Sequence, residues 1–340
     1  MSDSLRVSVF GKTDLGQSRD HNEDTFLVAD LSSGKASLMP DVRSHEIGPR
    51  GSLFMVADGM GGAAAGELAS AMAADIIYRH LSTTWTHDAD TSGARFAFRI
   101  REAVELANAE LFRYAAEHPD VRGMGTTVTV AGVFGTDLYL AQIGDSRGYL
   151  VRQRRAIQLT RDQSLMQRLV DAGELTEEEA ERSERRNIIL QALGPDARVR
   201  VDLSQQTLRR GDVLVMCSDG LSGLVRKEEI GELASDQTDL AMLCSTLIDL
   251  ANSRGGPDNI TVVAARFEGD GFPEPDGTAA VGYQNFPVAG NEPDTGEHAS
   301  PLPPEPLSEG RRAAAVPGGR VLLLGAAALA ALAALLLLLT

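Results

Sequence analysis

Residues 54–59 read FMVADG, and residues 214–220 read LVMCSDG. Each is an apolar run of strand length that ends in an Asp-Gly pair, as a buried strand does when it reaches the edge of a core. The runs place the carboxylates of Asp58 and Asp219 where their strands leave the sheet. We expect the following glycines, Gly59 and Gly220, to permit a sharp turn there. These runs predict a buried sheet whose strand ends carry acids.

The surrounding sequence contains further strands and several helices. Leu5 to Phe10 alternates apolar and polar residues, as a strand with one buried face does. Residues 94–117 and 239–252 repeat apolar residues at helical spacing. Thr176 and Glu179 have the spacing of a capping box, which predicts a short helix. Because runs of strands are interrupted by paired helices, we predict an α+β sheet sandwich rather than a regular βαβ alternation.

Other acids also lie at strand ends. Asp145 follows one predicted strand, Asp258 precedes the last strand, and Glu23 and Asp24 directly precede the strand at 25–29. A buried carboxylate without a partner is costly, and the lysines and arginines of this region lie mostly on predicted helices and loops. Metal ions would supply the missing positive charge compactly.

The residue types narrow the choice of metal. Oxygen ligands alone favour Mg²⁺, Mn²⁺ or Ca²⁺, whereas zinc would require histidine or cysteine. The chain has six scattered histidines and two cysteines, and it contains no EF-hand spacing. Two hard cations that share a carboxylate can activate a water molecule for in-line attack on phosphorus. Arg19, four residues before Glu23, would suit the phosphate oxygens.

These residues occur in motifs that resemble a known family. The motifs, in order, are Arg19-Asp-His-Asn-Glu23-Asp24, Val56-Ala-Asp58-Gly59-Met-Gly-Gly62, Gly125-Thr-Thr127, Ile143-Gly-Asp145-Ser-Arg147, Cys217-Ser-Asp219-Gly220 and Pro257-Asp258-Asn259. Their order and spacing resemble the PP2C-type (PPM) metal-dependent protein serine/threonine phosphatases, most closely bacterial members that oppose Hanks-type kinases. The resemblance covers residues 7–267. It implies a four-layer αββα sandwich of two mainly antiparallel sheets flanked by helices.

The resemblance also implies a metal site with two Mn²⁺ or Mg²⁺ ions. By motif match, Asp58 would bridge the two ions. Glu23 and the carbonyl of Gly59 would serve one ion, directly or through water. Asp219 and Asp258 would serve the other.

Three further roles follow from the same motif match. Asp24 would hold water bound to the metals, Asp145 would contribute to a third and weaker metal site, and Arg19 would bind the substrate phosphate. The implied reaction is hydrolysis of phosphoserine and phosphothreonine in proteins. The implied partners are phosphorylated proteins, including membrane-bound Ser/Thr kinases.

The sequence departs from the family pattern at three places. Met60 stands where some relatives have a histidine proposed as the general acid, so the proton donor stays unassigned. Residues 160–194 resemble the flap beside the active site, but Gln163 and Ser183-Glu184 replace histidines that relatives often carry. Residues 31–51 have the character of a loop insertion.

Composition limits the partners and divides the chain. The formal charge of −16 makes nucleic acid an unlikely partner, and the N-terminus has no apolar stretch typical of a secretion signal. The sequence predicts a phosphatase domain at residues 1–268. Residues 269–319 hold nine of the 14 prolines and predict an acidic, disordered linker.

Residues 320–340 contain the uncharged run VLLLGAAALAALAALLLLL at 321–339. A helix of this length spans roughly 28 Å, close to the hydrocarbon thickness of a bilayer. The run predicts a single C-terminal transmembrane helix, with the arginines before it and the catalytic domain in the cytoplasm.

Two other functions stay open from the sequence. One is a non-catalytic phosphoprotein-binding scaffold with a PPM-like fold, and the other is a hydrolase of small phosphoesters. The sequence lacks the C-x₅-R motif of cysteine phosphatases and the G-D-x-H-G motif of calcineurin-like enzymes.

Overall fold

A computed structural model describes residues 4–37, 43–61, 65–183, 185, 187–275 and 281–287. The strands are β1 (Arg6–Asp14), β2 (Asp24–Asp30), β3 (Lys35–Ser37), β4 (Arg43–Glu46), β5 (Ser52–Met60), β6 (Gly125–Thr126), β7 (Val128–Phe134), β8 (Asp137–Ile143), β9 (Arg147–Arg152), β10 (Arg155–Gln158), β11 (Asp202–Thr207), β12 (Val213–Cys217) and β13 (Ile260–Glu268). The helices are α1 (Ala65–Thr84), α2 (Gly93–Glu117), α3 (Leu165–Asp171), α4 (Glu177–Glu181), α5 (Asp219–Ser222), α6 (Lys227–Asp236) and α7 (Leu240–Ser253).

The strands form two antiparallel sheets. The first sheet has the order β10-β9-β12-β13-β1-β4, and the second has the order β11-β8-β7-β5-β2-β3, with β6 paired to β5. Helices α1 and α2 cover the second sheet, whereas α5, α6 and α7 cover the first. This arrangement confirms the α+β, four-layer αββα part of the predicted fold.

The alternation of side chains along β5 explains why its sequence is apolar throughout. Leu53 and Met55 face the core beneath α1 and α2, whereas Phe54 and Val56 face the core between the two sheets. Both faces of the strand are therefore buried, which removes the polar alternation of a half-exposed strand. The same period places Asp58 on the face that carries Phe54 and Val56, between the two sheets.

The predicted transmembrane helix and membrane localisation have to be corrected. Among the described residues, no helix has both the length and the apolar character that crossing a bilayer requires. The longest described helix, α2, packs an apolar face on the second sheet and exposes charged side chains such as Arg113 and Glu117. Residues 320–340, on which the prediction rested, lie outside the described residues, and membrane contact is dropped from the partners.

Two stretches differ from their predicted character. Residues 31–51 contain β3, which pairs with β2, and β4, which pairs with β1, so this insertion lengthens one edge of each sheet. Residues 269–275 and 281–287, assigned from composition to a disordered linker, lie against the folded domain because Phe272 is buried and Phe286 packs on its core. The rest of the predicted linker, 276–280 and 288–319, lies outside the described residues.

Candidate active site

The predicted acids meet in one open cleft. It has a volume of about 530 Å³ and is lined by Arg19, Glu23, Asp58, Asp145, Asp219 and Asp258, among others. These residues are separated by up to 239 positions in the chain and are brought together by both sheets. The structure thus brings together five of the predicted acids and the arginine, while Asp24 lies buried beside them.

The neighbouring strands β2 and β5 fix the centre of the cleft. Asp24 and Asp58 are direct cross-strand partners. The backbone N–H of Gly59 donates to the carbonyl of Glu23 at 3.1 Å, and the Asp58 N–H donates to Thr127 Oγ1 at 3.1 Å. These bonds hold three acidic residues of two strands in a fixed register.

Gly59 serves a different purpose from the turn that the sequence predicts. It continues strand β5 and pairs with Thr126, so the strand does not turn at Asp58. A Cβ atom on Gly59 would lie 2.2 Å from the carbonyl oxygen of Gly66 in α1. The residue is therefore a glycine because the start of α1 approaches the strand closely.

Asp258 and Asp219 border the other side of the cleft. Asp219 is the first residue of α5 and is separated from β12 by Ser218, while Asp258 precedes β13. Asn259 fixes this region, because its side-chain amide donates to the carbonyls of Leu15 and His21 at 3.0 Å and accepts from the Glu23 N–H at 2.9 Å.

Two positioning residues were not assigned a role from the sequence. Asn259 ties the loop before β2 to the loop before β13, and the Ser218 hydroxyl donates to Asp24 Oδ2 at 2.8 Å. Each is adjacent in the sequence to a predicted acid, and this adjacency is the signal from which a role at the site could be inferred. The flap residues Asn187 and Ile189 also line the cleft, and their positions follow only from the folded chain.

The cleft acids repel one another. Burial and the neighbouring carboxylates raise the pKa of Asp58 well above its usual range. Burial, with the charges of Asp219 and Asp258, raises the pKa of Asp24 to about 7. Burial and the Asp219 carboxylate raise the pKa of Asp145 to about 7 as well. A site that raises several carboxyl pKa values together is one that a cation would stabilise.

Among the described residues, the protein's own cations do not neutralise this cluster of acids. Arg19 donates from Nη2 to Asp258 Oδ2 at 2.8 Å, and half of the Arg19 side chain is exposed. Arg147, two residues after Asp145, pairs with Asp162 at 2.6 Å. In the part of the chain that the structure describes, the cluster of acids thus has one arginine, Arg19, at its edge.

The donor set fits hard divalent ions. All predicted side-chain ligands are carboxylates, and the buried Oδ1 atoms of Asp24 and Asp219 have no hydrogen-bond partner. In the chain segments that the structure describes, no group of three or more acidic, histidine or cysteine side chains is already arranged to hold an ion. Metal binding would therefore require side-chain adjustment within the cleft, whose orphaned oxygens are available for it.

Comparison with known proteins decides the family. The family model for protein phosphatase 2C matches residues 38–254, more than half of the chain. The chain belongs to the protein phosphatase 2C family. This confirms the resemblance that the six motifs predict.

Relatives of this phosphatase family agree in both sequence and structure. The chain is 36% identical to the serine/threonine phosphatase stp of Listeria monocytogenes, over 74% of this chain and 92% of that protein. The structure of the Streptococcus agalactiae serine/threonine phosphatase has a TM-score of 0.67 and 33% identity, and the match covers 76% of this chain and 99% of the other. A PstP catalytic domain in complex with two manganese ions has a TM-score of 0.63 and 34% identity, covering 78% and 99% of the two chains.

Proposed function

We propose that this protein is a phosphatase that hydrolyses phosphoserine and phosphothreonine in other proteins with the aid of two divalent metal ions, Mn²⁺ or Mg²⁺. One observation carries the proposal. Carboxylates from distant parts of the chain converge in one cleft, where two buried carboxylate oxygens lack partners and Arg19 is the arginine that the described residues place at the edge.

The residues proposed to hold the ions are those that the motif match assigns, and the structure supports the proposal because most of them line the cleft. Asp58 is the cross-strand partner of Asp24, and burial together with the charges of the other cleft acids raises its pKa. In the two-ion arrangement that the family resemblance implies, Asp58 would serve both ions. Bound ions would supply positive charge for the phosphoryl oxygens. They would also lower the pKa of a water molecule, so that hydroxide would be available to attack phosphorus.

The other ligands are assigned to the two sides of Asp58. Glu23 and the Gly59 carbonyl would complete one site, and the bond from the Gly59 N–H to the Glu23 carbonyl holds the two residues side by side. Asp219 and Asp258 would complete the other. Asp24, which lies buried beside the cleft, would hold water bound to the ions. Asp145 would contribute to a third, weaker site.

Arg19 is placed to orient the substrate. Its side chain is half exposed at the rim of the cleft, and its guanidinium donates to Asp258. A guanidinium can bind two phosphoryl oxygens at once, which fixes the orientation of the ester as well as its position. Met60 also lines the cleft but carries no transferable proton, so the chain offers no proton donor at that position.

The rim of the cleft suits a protein substrate. Ile188 and Leu190 of the flap are 44% and 43% exposed, and their neighbours Asn187 and Ile189 line the cleft. Exposed apolar side chains beside a phosphate site can contact residues that flank a phosphoserine or phosphothreonine. The proposed partners are therefore proteins phosphorylated by Ser/Thr kinases, including such kinases when they are themselves phosphorylated.

The test is hydrolysis of a phosphothreonine peptide by the full chain with Mn²⁺, compared with the same reaction in a chelator and with the Asp58→Asn variant. We expect the chelator to abolish the activity and Asp58→Asn to lower kcat/KM by at least about 10³-fold, because the variant removes the carboxylate shared by both ions. Circular dichroism would verify that the variant is folded.

Two outcomes would contradict the proposal. If the wild-type protein binds Mn²⁺ by calorimetry but hydrolyses no phosphopeptide, the scaffold function would replace it. If a small phosphoester is hydrolysed with a far higher kcat/KM than any phosphopeptide or phosphoprotein, the substrate class would be wrong.

A further inference from the structure

Residues 281–287, which we name the C-terminal strap, extend the second sheet beyond β11. The backbone N–H of Gln205 donates to the Gln284 carbonyl at 3.0 Å, and the Phe286 N–H donates to the Leu203 carbonyl at 2.8 Å. Ser204 and Asn285 are antiparallel bridge partners between these bonds. The strap therefore pairs with a strand that otherwise forms the edge of this sheet in the described residues.

Side chains hold the strap more firmly than two backbone bonds alone would. The Tyr283 hydroxyl donates to the Asp202 carboxylate, with distances of 3.0 and 3.1 Å to its two oxygens. The Phe286 ring meets the Tyr139 ring edge-on, with centroids 5.3 Å apart, and packs on the core beneath α1 and α2. The Tyr283 hydroxyl and the partly buried Phe286 ring lie at opposite ends of the pairing and define one register for the strap.

Residues 195–201 join the flap to strand β11, and a hydrogen-bonded network connects this stretch with the cleft. Gln163 lies at the centre of this network. Its side chain makes two bonds: Nε2 donates to the Arg200 carbonyl at 3.3 Å, and Oε1 accepts from the Gly144 N–H at 3.0 Å. Its backbone carbonyl accepts from the Leu190 N–H at 2.7 Å. Gly144 precedes Asp145, and Leu190 follows the cleft residue Ile189.

We propose that the C-terminal strap positions the flap for phosphoprotein substrates by fixing the start of β11, with Tyr283 and Phe286 as positioning residues. Tyr283 of the strap is hydrogen-bonded to Asp202, which is two residues after Arg200. The Arg200 carbonyl is in turn bonded to the side chain of Gln163, the residue that contacts both the flap and the loop of Asp145. This proposal depends on the proposed phosphatase function for its kinetic part only. The contact of the strap with β11 can be tested without any activity.

The first test is amide hydrogen exchange of the full chain, comparing wild type with Phe286→Ala, Tyr283→Phe and the control Asn285→Ala, whose side chain is exposed in the same segment. We expect Phe286→Ala to speed exchange at the Gln205 amide and also at the Leu190 amide by at least about 10-fold. Tyr283→Phe should have a smaller effect of the same kind, and Asn285→Ala should leave both amides unchanged. Faster exchange at Gln205 with unchanged exchange at Leu190 would reduce the strap to an edge cover and overturn the proposal.

The second test is kinetic. We expect Phe286→Ala to raise KM for a phosphorylated protein by about 3- to 10-fold, with kcat unchanged and with unchanged kinetics on a small aryl phosphate that does not reach the flap. In a Gln163→Ala background the same substitution should add little, because the connection is already broken. Equal losses on both substrates would contradict a positioning role. If the wild type were inactive on every substrate, the phosphatase function would fail, whereas the exchange experiment would still decide the role of the strap.

Discussion

Two buried acidic regions of this domain are built in opposite ways. Asp212 is 1% exposed, and both of its oxygens accept from Arg152, at 2.8 and 2.7 Å, while Oδ2 also accepts from the Arg209 N–H. The acids of the cleft are also largely buried, yet Asp24 and Asp219 each have an oxygen without a partner. Asp212, which serves the fold, has both carboxylate oxygens paired within the protein, whereas the unpaired oxygens of the cleft acids are available to a ligand from outside.

The largest expected difference comes from the same substitution in each region. Asp219→Asn should lower kcat/KM for a phosphopeptide by about 10²-fold or more, since it removes a ligand, but it should leave the metal-free protein equally or more stable because it relieves repulsion. Asp212→Asn should lower the free energy of unfolding by about 3–5 kcal/mol, since it leaves the buried Arg152 without its counter-charge.

Urea unfolding in a chelator and steady-state kinetics with Mn²⁺ would measure the two effects separately. Under conditions where Asp212→Asn is still folded, its kcat should stay within a few-fold of wild type. A large loss of stability in Asp219→Asn, or a specific loss of metal affinity in Asp212→Asn, would erase the distinction between the regions.

The second prediction concerns the pH dependence of the metal-free protein. The folded-state pKa values of Asp24 and Asp145 are raised to about 7 by burial and by nearby carboxylates, so between the unfolded pKa and about pH 7 the folded state binds more protons. Stability from the cleft should therefore be greatest at low pH and fall as pH rises from about 4 to above 7, by a few kcal/mol in total.

Urea unfolding at pH 5 and pH 8 in a chelator would measure this difference, and Asp145→Asn should reduce it. With saturating Mn²⁺ the direction should reverse, because ions bind the deprotonated carboxylates. A metal-free protein that becomes more stable between pH 5 and pH 8, with no change in Asp145→Asn, would show that the cleft acids do not repel one another.

The sequence was sufficient to predict the strands and acids of the cleft because both are local signals. A run such as residues 54–57, buried on two faces, has few polar positions, and Asp58 directly after it cannot be a core residue. The roles of Asn259 and Ser218 depended on contacts between segments 194 to 238 residues apart, which no local pattern contains.

The composition of the predicted linker does not reveal that a few apolar side chains hold its described residues against the folded domain. Residues 269–287 are rich in proline, glycine and acids, yet Phe272 lies against Phe267 and Phe286 lies against Tyr139. An average over the segment hides two aromatic anchors, each of which can offset the ordering of several residues. Gly59 was also misread, since its contact with Gly66 depends on where α1 packs.

The smallest expected effect comes from an acid that is paired at the surface. Glu229 accepts from Arg254 at 2.6 and 2.8 Å and from the Arg226 N–H at 3.1 Å, and its pKa is lowered to about 2, chiefly by the bond from Arg254. Because both side chains are about one-third exposed, Glu229→Gln should cost no more than about 1 kcal/mol at pH 7. The contribution should be present above pH 4.5 and disappear as pH falls towards 2.

Urea unfolding at 0.05 and 1 M salt, with exposed Glu228→Gln as the control, would measure the contribution of the Glu229–Arg254 pair. A cost above about 3 kcal/mol would mean that this partly exposed pair contributes as much to stability as the buried Arg152–Asp212 pair. Solvent screening would then not distinguish the two regions.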